Sequence, residues 1–416
     1  MTQTFQTPVL RTQIVVAGHL CLDIIPTFAS DFNAAGQGLE TLLAPGKLVT
    51  VGPVVLSTGG AVSNTGLALH RLGVPTRLMG KVGDDLFGRA ILDFINRRSP
   101  ALTTDMIVDA TATSSYTMVI NPPGVDRIFF HCPGANDTFS ANDVDPAALR
   151  AAAIFHFGYP PIMQRMFIDD GIELVTLMGR AKATGAITSL DMSYPDATAP
   201  AGQVDWRQIL AATLPHVDIF LPSLEELLFA LDRPRHDALS ARGSILSQTD
   251  GALLDELAQE VLAMGVAVAG IKLGKEGFYL RTSDDPARLA VLASLPDPPP
   301  VARWLDRQLL APSFAVNVMG TTGAGDCAIA GFLAGLSCGS GPAQTLVTAT
   351  AAGAFNVESA DATSGIPAWS TVLDRARSDH PRRAVDMPLP GWRWDATTML
   401  WHGPADNSHR ADRSDS

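Results

Sequence analysis

The sequence predicts an α/β fold: a mostly parallel sheet flanked by helices, with a small β-sheet lid inserted into it. Three observations point there. Short apolar runs of strand length alternate with helix-like segments. Two stretches, Lys47 to Ser57 and Thr113 to His131, break that rhythm with alternating or β-branched residues around Gly-Pro and Pro-Pro-Gly turns. The composition, 46% hydrophobic and 17% charged over 416 residues, suits a chain that buries a large core.

Taken in order, Met1 to Thr12 read as an N-terminal arm, and Ile14 to Ala17 as a buried strand that ends in Gly18 and leads to Asp23. An apolar helix follows from Thr65 to Leu72. Ala153 to Phe157, Ala186 to Asp191, Val217 to Leu221 and Val266 to Leu273 are further strands. The helix-like segments Gln164 to Ala183, Trp206 to Thr213, Leu224 to Leu231 and Ala252 to Met264 separate them, and ligands of such sheets bind at the strands' carboxyl ends. The departing stretches form the lid, inserted from about 26 to 57 and 113 to 133 into one large domain covering 13 to 375. Ser283 to Pro312, rich in proline, reads as a surface excursion. Residues 376 to 416 form an irregular C-terminal extension, where Trp392, Trp394 and Trp401 imply docking on the chain's own body before the tail frays.

Charge narrows the partners. Forty-two acidic residues against 30 basic ones leave a net charge of −12, which disfavours nucleic acid and anionic membrane surfaces. Cys21, Cys132, Cys327 and Cys338 show no CxxC or disulfide spacing, so free thiols in a reducing compartment are expected and zinc is not. The polar start carries no secretory pattern, and no apolar run approaches the roughly 18 to 20 residues of a membrane span. A cytoplasmic location is the expectation.

The most informative segment is Gly320-Thr321-Thr322-Gly323-Ala324-Gly325-Asp326, a glycine turn opening a small and apolar helix. Its backbone N–H groups make a phosphate site. Asp326 repels phosphate unless its charge is used to accept a proton from an attacking hydroxyl; a plain helix cap is the other reading. Upstream, Ser57-Thr58-Gly59-Gly60-Ala61-Val62-Ser63-Asn64 runs into the first helix and then Gly80 to Gly88. The diglycine lets a polar molecule lie on the backbone, and Asn64 offers a donor and an acceptor to sugar hydroxyls; an ordinary turn is the alternative.

These two segments, in this order, resemble the signatures of the ribokinase-like, or PfkB, family of carbohydrate kinases, and the resemblance covers about 13 to 375. It implies a single α/β domain with a β-rich lid, ATP with Mg²⁺, and phosphoryl transfer to an alcohol, usually a primary hydroxyl. By that resemblance Asp326 is the general base and Gly323, Ala324 and Gly325 form the anion hole. Asp23, Gly59, Gly60 and Asn64 bind the sugar. The loop Lys272-Leu273-Gly274-Lys275-Glu276-Gly277, with Lys272 and Gly274 as its binding residues, contacts ATP together with Thr322, Gly323, Gly325 and, on the adenine side, Asn356. In the lid, Arg127 and Asn136 reach the cleft.

Two departures touch metals. Ser223 stands where the family carries Asn, with Glu226 retained to order Mg²⁺ through water, and Gly320 replaces the Asp of a monovalent-cation site, which leaves activation by a monovalent cation undecided. The family also implies a homodimer through the lid. The expected function is an ATP-dependent kinase of a neutral or mildly acidic monosaccharide. Ala61-Val62-Ser63 supplies no basic cluster for a phosphorylated one. The alternatives are a nucleoside kinase, with Tyr116, Phe129 and Phe130 as stacking candidates, and a catalytically silent sugar-binding protein. A dehydrogenase lacks its Gly-x-Gly-x-x-Gly after the first strand.

Overall fold

Strands buried on both faces, as parallel strands between helix layers must be, form the centre of the molecule. The computed structural model describes residues 10–28, 44–122 and 128–406. In chain order its strands are Ile14–Gly18 (β1), Cys21–Pro26 (β2), Val54–Gly59 (β3), Thr76–Met79 (β4), Lys81–Gly83 (β5), Ile107–Asp109 (β6), Tyr116–Ile120 (β7), Ile128–Cys132 (β8), Ile154–Gly158 (β9), Ile187–Asp191 (β10), Ile219–Phe220 (β11), Val268–Lys272 (β12), Phe278–Thr282 (β13), Gln308–Ala311 (β14), Arg393–Asp395 (β15) and Leu400–His402 (β16). The large sheet has the order β15-β16-β14-β13-β12-β11-β10-β9-β1-β4. From β12 to β4 the pairing is parallel; β13, β14, β16 and β15 extend it antiparallel.

Period-two alternation divides the core. Ile14 and Val16 of β1 face the layer containing helices Ala61–Leu72 and Ala324–Ser337, whereas Val15 and Ala17 face the one containing Ile172–Ala183 and Gly251–Ala263. The first two of these helices pack against each other, which brings the two glycine-rich segments together. Among the described residues, no helix is long and apolar enough to cross a membrane.

The lid is a four-stranded sheet in the order β3-β2-β7-β8. Its register sets Asp23 beside Ser57 and Thr117, and Thr117 beside His131. It starts earlier than the expected residue 26. Only His19 and Leu20 separate β1 from β2, because Gly18 (φ +128°) lies against β9, where a Cβ would stand 2.3 Å from the Gly158 carbonyl oxygen. Asp23 is therefore a lid residue rather than one at the exit of β1.

Three further expectations are corrected. The helix expected from Gln164 begins only at Ile172, since Asp169 and Asp170 adopt positive φ. The Pro-rich stretch 283 to 312 is not a surface excursion: Trp304, fully buried, meets Phe332 edge-on at 6.2 Å, and β14 joins the large sheet. Residues 376 to 406 are not irregular throughout, for β15 and β16 continue that sheet. Trp392 packs on Tyr279, and Trp394 on Trp401.

Candidate active site

The site forms where the N-termini of two packed helices meet. Gly60, with φ +88°, precedes Ala61–Leu72, and Gly323, with φ +74°, precedes Ala324–Ser337. Neither helix has a side-chain cap; backbone carbonyls take part of that place, His19 accepting from the Val62 amide at 3.1 Å and Thr321 from the Ala324 amide at 3.3 Å. Close approach requires glycine at both ends: a Cβ on Gly60 would stand 2.5 Å from His19 Nδ1, and one on Gly323 2.9 Å from Ala362.

Asp326 lies in the first turn of the second helix and is 3% exposed. Asn64 Nδ2 donates to its Oδ2 at 3.0 Å and Thr65 Oγ1 to its Oδ1 at 3.4 Å. The Tyr159 hydroxyl reaches both oxygens, at 2.9 and 2.8 Å. Burial pushes the Asp326 carboxyl above the ordinary carboxylate range, against the opposing pull of Lys272, Tyr159, Asn64 and Thr65. Two cavities, of about 990 and about 480 Å³, converge here and share Tyr159, Thr321, Gly323 and Asp326 in their walls.

Asp23, Gly59, Gly60 and Asn64 line the larger cavity. Burial raises the Asp23 carboxyl to about 6, while Cys21 Sγ donates to its Oδ1 at 3.4 Å. Gly59 leaves room for that carboxylate, since a Cβ there would stand 2.5 Å from Asp23 Oδ2. Thr322, expected on the nucleotide side, lines this cavity and not the smaller one. Asn136 lines neither: fully buried, it accepts from the Leu20 amide at 3.0 Å and donates to the Leu20 and Pro133 carbonyls at 2.9 and 3.0 Å. Its amide pins the β1–β2 connection. Arg127 lies outside the described residues.

Lys272, Gly274, Gly323, Ala324, Gly325 and Glu226 line the smaller cavity. Lys272 Nζ is 2.5 Å from Asp191 Oδ1 and 3.9 Å from Glu226 Oε2. Burial opposes its charge, but Asp191 and Glu226 outweigh burial and hold the ammonium above its ordinary value. A Cβ on Gly325 would sit 3.3 Å from Lys272 Cδ, so the lysine stem lies along the helix N-terminus. Asn356 is not on this wall. It is buried and donates to the Ala362 carbonyl at 2.6 Å, which seats that loop against Gly323.

Ser223 has a local task. It caps Leu224–Leu231, accepting from the Glu226 amide at 3.3 Å while the Ser223 amide donates to Glu226 Oε2 at 2.6 Å. Among the described residues no group of three or more His, Cys, Asp or Glu could hold a metal. A cation on this wall would thus rest on phosphate oxygens and water, with Glu226 and the helix N-terminus around a polyphosphate, and the donor set fits that arrangement.

Sequence reasoning missed Tyr159, Asp191, His19 and His131. Tyr159 and Asp191 stand at or just past the carboxyl ends of β9 and β10, where ligands of parallel sheets gather, so position along the strand was the available signal.

The family model described as pfkB family carbohydrate kinase matches residues 12–369. Among curated relatives, an uncharacterized sugar kinase of Archaeoglobus fulgidus is 25% identical over 269 residues, 65% of this chain and 86% of the relative. Fructokinase-1 of Zea mays is 27% identical over 203 residues, 48% of this chain and 57% of that enzyme. The chain thus spans little more than half of the maize protein. The crystal structure of fructokinase with bound ATP from Xylella fastidiosa superposes with a TM-score of 0.64 at 20% identity, covering 88% of this chain and 99% of that one. At that identity the superposition speaks for the fold: an α/β sheet between helices with an inserted lid. A match running from β1 to the helix after the Asp326 segment takes in both cavities and the carboxylate between them, and the chain belongs to the pfkB family of carbohydrate kinases, a family of phosphotransferases.

Proposed function

We propose that the chain transfers the γ-phosphoryl group of ATP to a hydroxyl, a primary one, of a monosaccharide, with Asp326 as general base. One observation carries this reading: Asp326 is the carboxylate whose side chain borders both cavities, between the diglycine and Lys272. A sugar lies in the larger cavity on Asp23, Gly59, Gly60 and Asn64. ATP lies in the smaller one along Lys272, Gly274 and the amides of Gly323, Ala324 and Gly325. Mg²⁺, when bound with the nucleotide, shields the phosphate oxygens, with Glu226 ordering its water. Asp326 takes the proton of the attacking hydroxyl as the backbone of Gly323, Ala324 and Gly325 stabilises charge on the phosphoryl group in flight. Closure of the lid excludes water from the exchange.

A nucleoside acceptor is the second reading, favoured by Phe129, Phe167 and Tyr194 on the wall of the larger cavity. Tyr116, by contrast, packs against Phe87. The four free cysteines suit a reducing, cytoplasmic compartment. The exposed row Leu56, Met118 and Phe130 on the outer lid face supports a homodimer through the lid; a light-scattering mass of one chain at micromolar concentration counts against it.

The test of the function is ADP release with Mg²⁺-ATP against neutral sugars, a sugar acid and adenosine, with Asp326→Asn in parallel. Turnover of one acceptor that collapses in the variant supports the reading. Binding without turnover points to a silent binding protein.

A further inference from the structure

The larger cavity carries a histidine pair to which the transfer chemistry assigns no role. His131 comes from the lid strand β8 and His19 from the connection beneath it. Their Nε2 atoms face each other at 3.3 Å, and His131 Nδ1 lies 3.0 Å from Thr117 Oγ1. Two facing ring nitrogens share one hydrogen while both rings are neutral, and burial, pushing both imidazoles below their ordinary value, keeps them so. The far end of the pair, His19 Nδ1, is buried, has no hydrogen-bond partner among the described residues and lies over Gly60. Asn64 Oδ1 is a second buried atom in that state on the same wall. Native structures leave few such atoms unpaired unless a ligand or water meets them.

The charges on this wall have one sign. Asp23, Asp137, Asp196 and Asp326 line it, and no lysine or arginine does among the described residues. A carboxylate or phosphate entering here meets the repulsion of these carboxylates with no cationic side chain among the described lining residues to offset it. A hydroxyl both donates and accepts, so it satisfies Asp23, Asn64 Oδ1 and His19 Nδ1 in either tautomer.

We propose that the larger cavity selects an uncharged polyhydroxy substrate over sugar acids and sugar phosphates, and that His19 bonds a substrate hydroxyl while His131, reaching in from the lid, orients its ring. This deepens the kinase reading above and rests on it for the fate of the substrate, though not for its recognition. His19 is a binding residue and His131 a positioning one.

Titration calorimetry without nucleotide, using ribose, fructose, gluconate and fructose 6-phosphate, separates recognition from chemistry. At least one neutral sugar binds, and the two anions bind about tenfold weaker or less, the size of one lost hydrogen bond. In initial-rate work His19→Ala raises the KM for the sugar about tenfold and leaves kcat within about threefold. His131→Ala raises it less, and the double variant is no worse than His19→Ala, because the second residue acts through the first. His19→Gln, with an unchanged melting temperature as its control, repeats the effect should the alanine variant unfold. Equal or tighter binding of either anion, binding of no neutral sugar, or an unchanged KM in both His19 variants overturns the proposal. Selective binding of a neutral sugar with no ADP release refutes the kinase reading and leaves this one standing.

Discussion

The hydroxyl of Tyr159 bridges the two carboxylate oxygens of Asp326, 2.9 Å from Oδ1 and 2.8 Å from Oδ2. The tyrosine is held there by a left-handed backbone, φ +71° at the exit of β9, a conformation that costs about 1 kcal/mol or more for a residue with a side chain. Such strain persists where the surroundings over-determine it. The helix of Asp326 on one side and β9 on the other do so.

Tyr159→Phe is therefore expected to change the base rather than the fit of the sugar. The Tyr159 hydrogen bond pulls the Asp326 carboxyl down; without it the acid persists to higher pH. The acid limb of kcat moves up by as much as about one pH unit, the equivalent of a single charge-assisted hydrogen bond, with the sugar KM little altered. A pH profile of kcat for both proteins checks this. An unmoved limb would mean that another group titrates.

Asp326→Asn keeps the size of the side chain and its acceptor for Asn64, but removes the charge that takes the proton in the proposed transfer. Loss of kcat by about a hundredfold to ten-thousandfold is expected, within the range of general-base effects. Nucleotide affinity should hold, because the amides at the helix N-terminus remain. Single-turnover rates together with nucleotide titration distinguish this from unfolding.

Lys272 holds two carboxylates. Asp191 is fully buried and Glu226 part-buried, at 2.5 and 3.9 Å from Nζ. Lys272→Met leaves both without their cation, and breaking a buried pair from one side costs about 3 to 5 kcal/mol. A lower melting temperature and a higher ATP KM are expected together. Adding Asp191→Asn should recover part of the stability and little of the KM, since the buried carboxyl, which burial already pushes well above the ordinary range, goes while the proposed phosphate contact stays absent. Thermal melts and ATP kinetics of the single and double variants separate the two effects.

What the sequence made legible was local chemistry. Gly59 to Asn64 and Gly323 to Asp326 could be read because a glycine turn before a helix has a use that depends on its immediate neighbours. Asn136 and Asn356 read as ligands and proved structural, because their partners, the Leu20 and Ala362 backbone groups, are fixed only by the tertiary fold. Tyr159 and Asp191 carried only the signal of their place at strand ends, for the complementary reason. Each gains meaning from Asp326 or Lys272, far away in the chain and adjacent only in the folded molecule. Ser223 stood out as an exception to a family pattern, and its helix cap accounts for it locally.

Asp23 predicts a pH dependence that separates binding from stability. Burial raises its carboxyl from 3.8 to about 6 in the folded chain, against weaker opposing contributions from Cys21 and Thr117. Between those values the folded state holds the proton more tightly than the unfolded one, so this group's contribution to stability is full below about pH 4 and is lost as pH rises towards 6. The difference is about 3 kcal/mol at most. Recognition runs the other way: in the proposed binding mode the ionised carboxylate accepts sugar hydroxyls, so sugar affinity should fall as pH drops below about 6. His19 and His131 face the same cavity, and burial keeps both below the ordinary imidazole value. The experiment is sugar titration and thermal melting from pH 4.5 to 7.5 on the unaltered chain and on Asp23→Asn. In the variant the stability slope between pH 4.5 and 6 should flatten and the affinity should lose its acid fall. An acid fall that persists in the variant would transfer the titration from Asp23 to the histidine pair.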